Sequence, residues 1–447
     1  MTLIAKEPSA SFPPAAEPPG SDSPPAPENF SQILRLAAVA VLITAVFLLA
    51  GLGDLLLFIV IIATIVMLHE LGHFVTAKWA GMKVTEYFVG FGPRLWSIRR
   101  GETEYGVKAI PAGGYVRITG FTVLDDVTEE DEPRAYRAQP FWKRIIVASA
   151  GSAMHFLIAL VLALISVVSY GVLTNHVQVA ALEHWSGVAQ TPAQQSGIRA
   201  GDTIVSVDGH QLTNPEHLHN VISDSVGKPV TLGVERGGQV RSVTVIPQDG
   251  RGVKVDGTAL APADARSPKG YIGIEEENAS ASVGPLTALG DAFSNVGQAT
   301  SEEISGITQM FSPSGLSSVL HQVTNSKDAA KAADHPGTQV RPVSLVGITS
   351  LGVDAQHAGL EDLLSLLILI NVIFGLLNML PMLPLDGGHV AVAVYEWIRT
   401  KKGEAYYRAD ITKLFPVVFV FLAFLAVIVF SGVFLDFTHP LENPFTP

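Results

Sequence analysis

The sequence predicts a polytopic α-helical membrane protein, with four core spans, an extra N-terminal span, a membrane-associated β-hairpin and an extracytoplasmic α+β domain. Three observations predict it. The 447 residues are 48% hydrophobic and only 16% charged, too apolar for an ordinary soluble enzyme of that length. Five runs, residues 33–53, 54–77, 144–170, 360–384 and 414–434, are long enough to cross about 30 Å of hydrocarbon. Between the third and fourth runs, residues 171–359 carry strand, turn and helix patterning instead.

Residues 1–30 are rich in Pro, Ser, Ala and Glu and read as a disordered tail. No secretory signal is expected, because the first apolar run starts too far from the terminus. Residues 31–53 form the extra span, joined by a Gly-Leu-Gly corner to the next. Basic residues beside spans favour the cytoplasmic side. Lys78, Lys83, Arg94, Arg99 and Arg100 follow the second run, Lys143 and Arg144 precede the third, and Arg399, Lys401, Lys402, Arg408 and Lys413 separate the last two. Residues 171–359 and the 437–447 tail are then outside. A net charge of -12 disfavours nucleic acid as a partner. The absence of cysteine removes disulfides, thiolate metal sites and cysteine nucleophiles, so any metal must use His, Asp or Glu.

The second run ends in "MLHELGHFVTAKWAG", where His69, Glu70 and His73 make HExxH. Positions four apart share one helix face, so both imidazoles can ligate one tetrahedral zinc ion. Glu70 stands where it can take a proton from a zinc-bound water. A helix end with snorkelling charges accounts for Lys78. It does not account for three ionisable groups within about one turn, each costing about 2.5–3.5 kcal/mol at mid-membrane if unpaired.

Two histidines and a water leave zinc one ligand short. Glu86, Glu102 and Glu104 lie in a polar segment nearby, but the better candidate is Asp386 in "NMLPMLPLDGGHV". There Pro381 and Pro384 break the helix, Gly387 and Gly388 permit a sharp turn, and Asp386 is the one carboxylate in an apolar neighbourhood. Irregular backbone at membrane depth is tolerated where it lines a cavity. The competing reading of Asp386 is a helix-terminal turn at the interface.

These residues resemble the site-2 proteases, intramembrane zinc metalloproteases, and among them the bacterial regulator-of-sigma-E branch with its actinobacterial relatives. The resemblance runs over most of residues 54–434. It rests on HELGH, "YFVGFGPRLWS" from Tyr87, "YGVKAIPAGGYVRITG" from Tyr105, one PDZ-like domain, and "NMLPMLPLDGGH" from Asn378. It implies one zinc ion per chain on His69, His73 and Asp386, with Glu70 as general base and Asn378 holding substrate backbone or the transition-state oxygen. An inter-helix hydrogen bond is the competing role for Asn378. The family's GPxxNF is "GSAMHF" here, with Ser152 for the proline and His155 for the asparagine. His155 is read as an interhelical hydrogen bonder rather than an extra ligand, and so is His389.

The segment from Glu104 reads as two short strands around a Pro-Ala-Gly-Gly turn, a hairpin dipping toward the catalytic water. Its free edge could add an unwound substrate strand. The PDZ-like domain occupies 171–275, with a strand at 203–207, an Asp208-Gly209 turn, a helix capped before Pro215 and a hairpin through 230–246. By resemblance it serves as a size filter. A Gly/Ala/Pro-rich loop covers 251–269. Residues 276–359 read as a helix near 286–311 followed by a mobile segment over 312–340. The expected activity is cleavage of transmembrane segments, in anti-sigma factors or remnant signal peptides already trimmed by another protease, in a cell membrane with the site near the cytoplasmic side. A soluble-substrate zincin would need HExxH in a soluble domain. An inert scaffold binding peptides through its PDZ-like domain would need neither Glu70 nor Asp386.

Overall fold

A computed structural model describes residues 30–122, 125, 127–255, 258–261, 267–334, 341–400 and 407–445. The tail expected over 1–30 falls outside these except for Phe30, as do Lys401, Lys402 and part of the 251–269 loop. The described residues begin with α1 (Phe30–Leu49) and α2 (Gly53–Trp79), then β1 (Val84–Arg100), β2 (Thr103–Ile118) and α3 (Phe141–Tyr170). Next come β3 (Val172–Leu182), α4 (Pro192–Gln195), β4 (Thr203–Val207), β5 (His210–Gln211), α5 (Pro215–Asp224), β6 (Val230–Arg236) and β7 (Gln239–Val245). Four two-residue strands follow: β8 (Gln248–Asp249), β9 (Lys254–Val255), β10 (Thr258–Ala259) and β11 (Gly270–Tyr271). After β12 (Ile274–Ala281) the chain is helical: α6 (Pro285–Met310), α7 (Pro313–Thr324), α8 (Ser326–Asp334), α9 (Leu345–Ala358), α10 (Leu360–Asn378), α11 (Asp386–Arg399) and α12 (Phe415–Thr438).

Among the described residues, four helices are long and apolar enough to cross a membrane: α2, α3, α10 and the stretch Ile411–Thr438 that contains α12. In α1 the apolar part, Leu36–Leu49, is shorter. Helices are what such sequences form in hydrocarbon, because only they satisfy every backbone group internally.

The chain folds as two compact units. The first takes residues up to 157, 304–358 and from 373 onward. Within it α2 ends in a Schellman motif: Gly81 N–H donates to Lys78 O at 3.0 Å and Met82 N–H to Ala77 O at 2.9 Å, with Gly81 at φ 79°. That closure drives Met82 into a core with Ala77, Val84, Ile118, Tyr136 and Val147, on which Phe74, Phe121 and Val390 pack. The end of α2, the sheet, the start of α3 and α11 thus share one core.

The sheet departs from the expected hairpin. The two short segments of β2 do not pair with each other but flank β1: Tyr87 faces Val116 on one side and Tyr105 on the other, and Ile98 also faces Tyr105. The partner strand lies in "VTEYFVGFGPRLWSIRR", whose glycines and proline hide its period-2 pattern. The fourth span also ends earlier than expected, at Asn378, and Asp386 opens a new helix, α11, rather than closing an old one.

The segment expected to be mobile over 312–340 instead contains α7 and α8. Ser312 caps α7, its Oγ accepting from Gly315 N–H at 3.1 Å, and Val319, Ala329, Ala332 and Ala333 are buried. Its Ser-Pro start is a capping signal. In α9, Gly352 packs on the buried Phe58 of α2, and Gln356 Nε2 donates to Asp54 O at 3.1 Å. A buried pair, Arg341 with Asp436 at 3.2 Å, ties the segment ahead of α9 to α12.

The second unit, 158–303 with 359–372, is built on a six-stranded sheet in the order β12-β3-β4-β6-β7, with β5 on β4. The strand at 203–207, the helix from Pro215 and the β6–β7 hairpin stand where the sequence placed them. Asp208 and Gly209, at φ 49° and 82°, make the left-handed turn. The boundary at 275 is too early, because β12 runs to Ala281 and pairs with β3 from Ile274 opposite Leu182. Val177, Ile204, Leu218, Leu232 and Val245 fill its core.

Asp202, 1% exposed, accepts from Arg236 at 2.5 and 2.6 Å and from Arg199 N–H at 2.8 Å. Burial alone would raise its pKa, but these donors outweigh it and hold the carboxyl low. Asp202→Asn should destabilise this unit, because it removes the charge that Arg236 and Arg199 N–H converge on while leaving the buried position filled by a weaker acceptor. Loss of hydrogen-exchange protection in β4 and β6 checks this. A depressed carboxylate stabilises above its unfolded pKa, so wild-type protection should fall with pH toward the lowered value and the variant's should not.

Candidate metal centre

The length of α2 sets the depth of the site, since His69 lies sixteen residues past Gly53, about 24 Å along the helix axis. His69 and His73 are 8% and 4% exposed, with Nε2 atoms 3.3 Å apart. His73 Nδ1 lies 2.7 Å from Val147 O on α3. Donation to that carbonyl fixes the tautomer and turns the Nε2 lone pair toward the site. Gly151, one turn further along α3, sits directly against both imidazoles, and a Cβ there would overlap the two rings. Gly72 is equally constrained, its Cβ position lying 2.6 Å from Ala150 O. Small residues let α2 and α3 approach this closely.

Asp386 arrives from the other end of the sequence. The turn after α10 closes with Met382 N–H on Leu380 O at 2.7 Å and Leu385 N–H on Met382 O at 3.0 Å. Gly387 and Gly388 press against the backbone of Met379–Leu383, where any Cβ would clash. Asp386 is thereby the first residue of α11, a position that favours a carboxylate. Its Oδ2 lies 3.5 Å from His69 Nε2 and 3.3 Å from His73 Nε2 and is buried without a hydrogen-bond partner.

A tetrahedral zinc ion with bonds of about 2.0–2.1 Å has ligand-to-ligand edges of about 3.3–3.4 Å. The triangle of His69, His73 and Asp386 has edges of 3.3, 3.3 and 3.5 Å, and these three form a group that could hold a metal ion. The orphaned buried oxygen of Asp386 is explained by such an ion, and the donor set suits zinc.

Glu70 Oε2 accepts from Val116 N–H on β2 at 3.0 Å. Asn378 ends α10 at the head of the turn leading to Asp386, and its side chain makes no hydrogen bond among the described residues. His155 and His389 lie outside the triangle. His155 is 1% exposed, with its ring 4.9 Å from that of His69 and 5.8 Å from that of Phe374. His389 stacks on Phe121 at 4.2 Å. Glu102 and Glu104 are taken up elsewhere. Glu102 binds Arg134 at 2.7 and 2.8 Å and Lys78 at 2.6 Å, and Arg134, ahead of Lys78, draws its pKa down to about 2. Lys78 is therefore ion-paired, more than a snorkelling cation.

Sequence reasoning missed Val116 N–H, Val147 O, Gly151 and the pair Arg144–Glu396, 2.5 Å apart with both side chains 5% exposed, which ties α3 to α11. Only Gly151 left a signal, the small-residue run "ASAGSA".

The profile of Peptidase family M50 matches residues 57–425. The chain is 32% identical to "Zinc metalloprotease Rip1" of Mycolicibacterium smegmatis over 88% of this chain and 98% of the relative. It is 34% identical to Rip1 of Mycobacterium tuberculosis H37Rv over 87% and 97%, and 29% identical to a putative zinc metalloprotease of Clostridium acetobutylicum over 78% and 88%. Beside four helices long and apolar enough to cross a membrane and a buried group that could hold a metal ion, these matches place the chain in peptidase family M50, the intramembrane zinc metalloproteases of site-2 type.

Proposed function

We propose that His69, His73 and Asp386 hold the catalytic zinc and that Glu70 is the general base for hydrolysis of a peptide bond within a transmembrane segment. The triangle of ligand atoms, 3.3–3.5 Å on edge inside a helix long enough to cross a bilayer, carries this reading. Zinc, when bound, polarises the scissile carbonyl and lowers the pKa of water toward about 7. Val116 N–H holds one Glu70 oxygen, which leaves the other to take the proton of the attacking water and deliver it to the departing amide nitrogen. Asn378, its amide uncommitted, binds the carbonyl of the extended substrate. The substrate is extended by pairing with the 114–118 edge, which β1 covers on one side only.

The substrates are transmembrane proteins such as anti-sigma factors or remnant signal peptides, trimmed beforehand by another protease. The six-stranded unit acts as an extracytoplasmic PDZ-like domain that excludes untrimmed substrates by size, and α1 adds a further span. The site faces the cytoplasmic side of the cell membrane. Supporting that, exposed Trp79 and Trp142 meet edge-to-face 5.8 Å apart and Phe141 stacks on Trp397 at 5.2 Å, an aromatic belt beside Lys78 and Lys143.

His69→Ala should reduce zinc from one per chain to a trace, by elemental analysis, and abolish cleavage of a transmembrane reporter. A variant that loses zinc while the wild-type protein cleaves nothing would favour the inert scaffold instead.

A further inference from the structure

A cavity of about 380 Å³ lies between α11 and the start of α12, within the ~300–1,000 Å³ typical of sites that enclose a ligand. Leu383, Ala391, Val392 and Val417 give it apolar walls, and Tyr395, Tyr407, Asp410 and Lys413 stand at its rim. Val417 is 54% exposed and Leu414 40%, so the cavity opens sideways along α12, a helix that crosses the membrane largely uncovered by protein. Its occupant therefore comes from the bilayer.

The rim indicates what part of a lipid it meets. Lys413 is 80% exposed and shares its ammonium with Asp410 at 3.4 Å. The Arg399 guanidinium stands 5.4 Å over the Tyr407 ring, and the Tyr395 and Tyr407 rings are 6.0 Å apart. Trp397 and Ile398, 56% and 68% exposed, give the end of α11 an outward apolar and aromatic surface of the kind that sits at headgroup level. Lys413 and, beside Tyr407 just outside the lining, Arg399 outweigh the single carboxylate of Asp410, and this net positive charge with two phenols over an apolar slot matches a phosphate joined to an acyl chain.

We propose that this cavity binds an anionic phospholipid, with one acyl chain between α11 and α12 and its phosphate on Lys413 and Arg399. The site lies apart from the ligand triangle, yet Leu383 and Gly388 in its wall belong to the turn and helix that present Asp386. An occupied cavity braces the start of α11, so proteolysis should respond to lipid charge.

The test uses the full-length protein in phosphatidylcholine nanodiscs doped with phosphatidylglycerol or phosphatidylcholine carrying a diazirine in the acyl chain, with adducts mapped by mass spectrometry. Adducts should concentrate on residues 391–395 and 414–418, at least fivefold more with the glycerol headgroup. Ala391→Trp, which fills the slot, should cut them about tenfold at unchanged zinc content, and Lys413→Glu should erase the headgroup preference. If Ala391→Trp loses zinc, Lys413→Glu decides alone. Equal labelling by the two lipids, adducts spread evenly along α12, or preferential labelling of the slot by a diazirine-bearing reporter substrate would each overturn the proposal.

Discussion

Glu70→Gln should keep one zinc per chain and lose cleavage of a transmembrane reporter by about 10²–10⁴-fold, the contribution of a positioned general base. The substitution keeps the side chain's length and its acceptor for Val116 N–H but removes the basic oxygen. The helix, the sheet contact and the ligand triangle are left intact, so zinc content separates lost chemistry from lost structure. Elemental analysis and a gel-based cleavage assay on the same preparation check both parts. A Glu70→Gln protein that cleaves at the wild-type rate would show that another group moves the proton.

Gly151→Ala should be nearly as damaging by a different route. The added methyl would occupy the space of both imidazole rings, and a packed interior does not yield that volume cheaply. Either the rings rotate off the triangle or α3 moves away from α2, taking Val147 O from His73 Nδ1. Disturbing the partner that orients a ligating histidine typically costs 10–100-fold in metal affinity. Zinc affinity, read by competition with a chelator, should fall by at least tenfold. Ala153→Gly, two residues along α3 at an exposed position, should leave it unchanged.

What could be read in the sequence follows from how local each signal is. HExxH declares itself because helical spacing converts sequence distance into geometry within one turn. Asp386 stood out through the cost of a carboxylate in an apolar run, and the structure brings it to within 3.3–3.5 Å of both histidines. Turns and caps in the second unit, such as Asp208-Gly209 and Asn214, were local too, and their strands and helix fell in place. Pairing of β1 with both halves of β2 was not legible, because register between strands depends on partners rather than on either strand's own pattern. The same holds for the backbone groups around the site. Val116 N–H and Val147 O carry no side-chain identity for a motif to record. In α7 and α8 a local signal did exist, the Ser312-Pro313 start that caps α7, and the expectation of a mobile segment did not use it.

The central claim is that a carboxylate about three hundred residues beyond HExxH completes the zinc shell. Zinc affinity of purified Asp386→Ala against wild type, measured by chelator competition, tests it most directly. The account predicts one tightly held zinc in the wild-type protein and at least a tenfold weaker one in Asp386→Ala, with the helices still folded by circular dichroism. Wild-type affinity in that variant would contradict it, and would mean that the third ligand lies elsewhere.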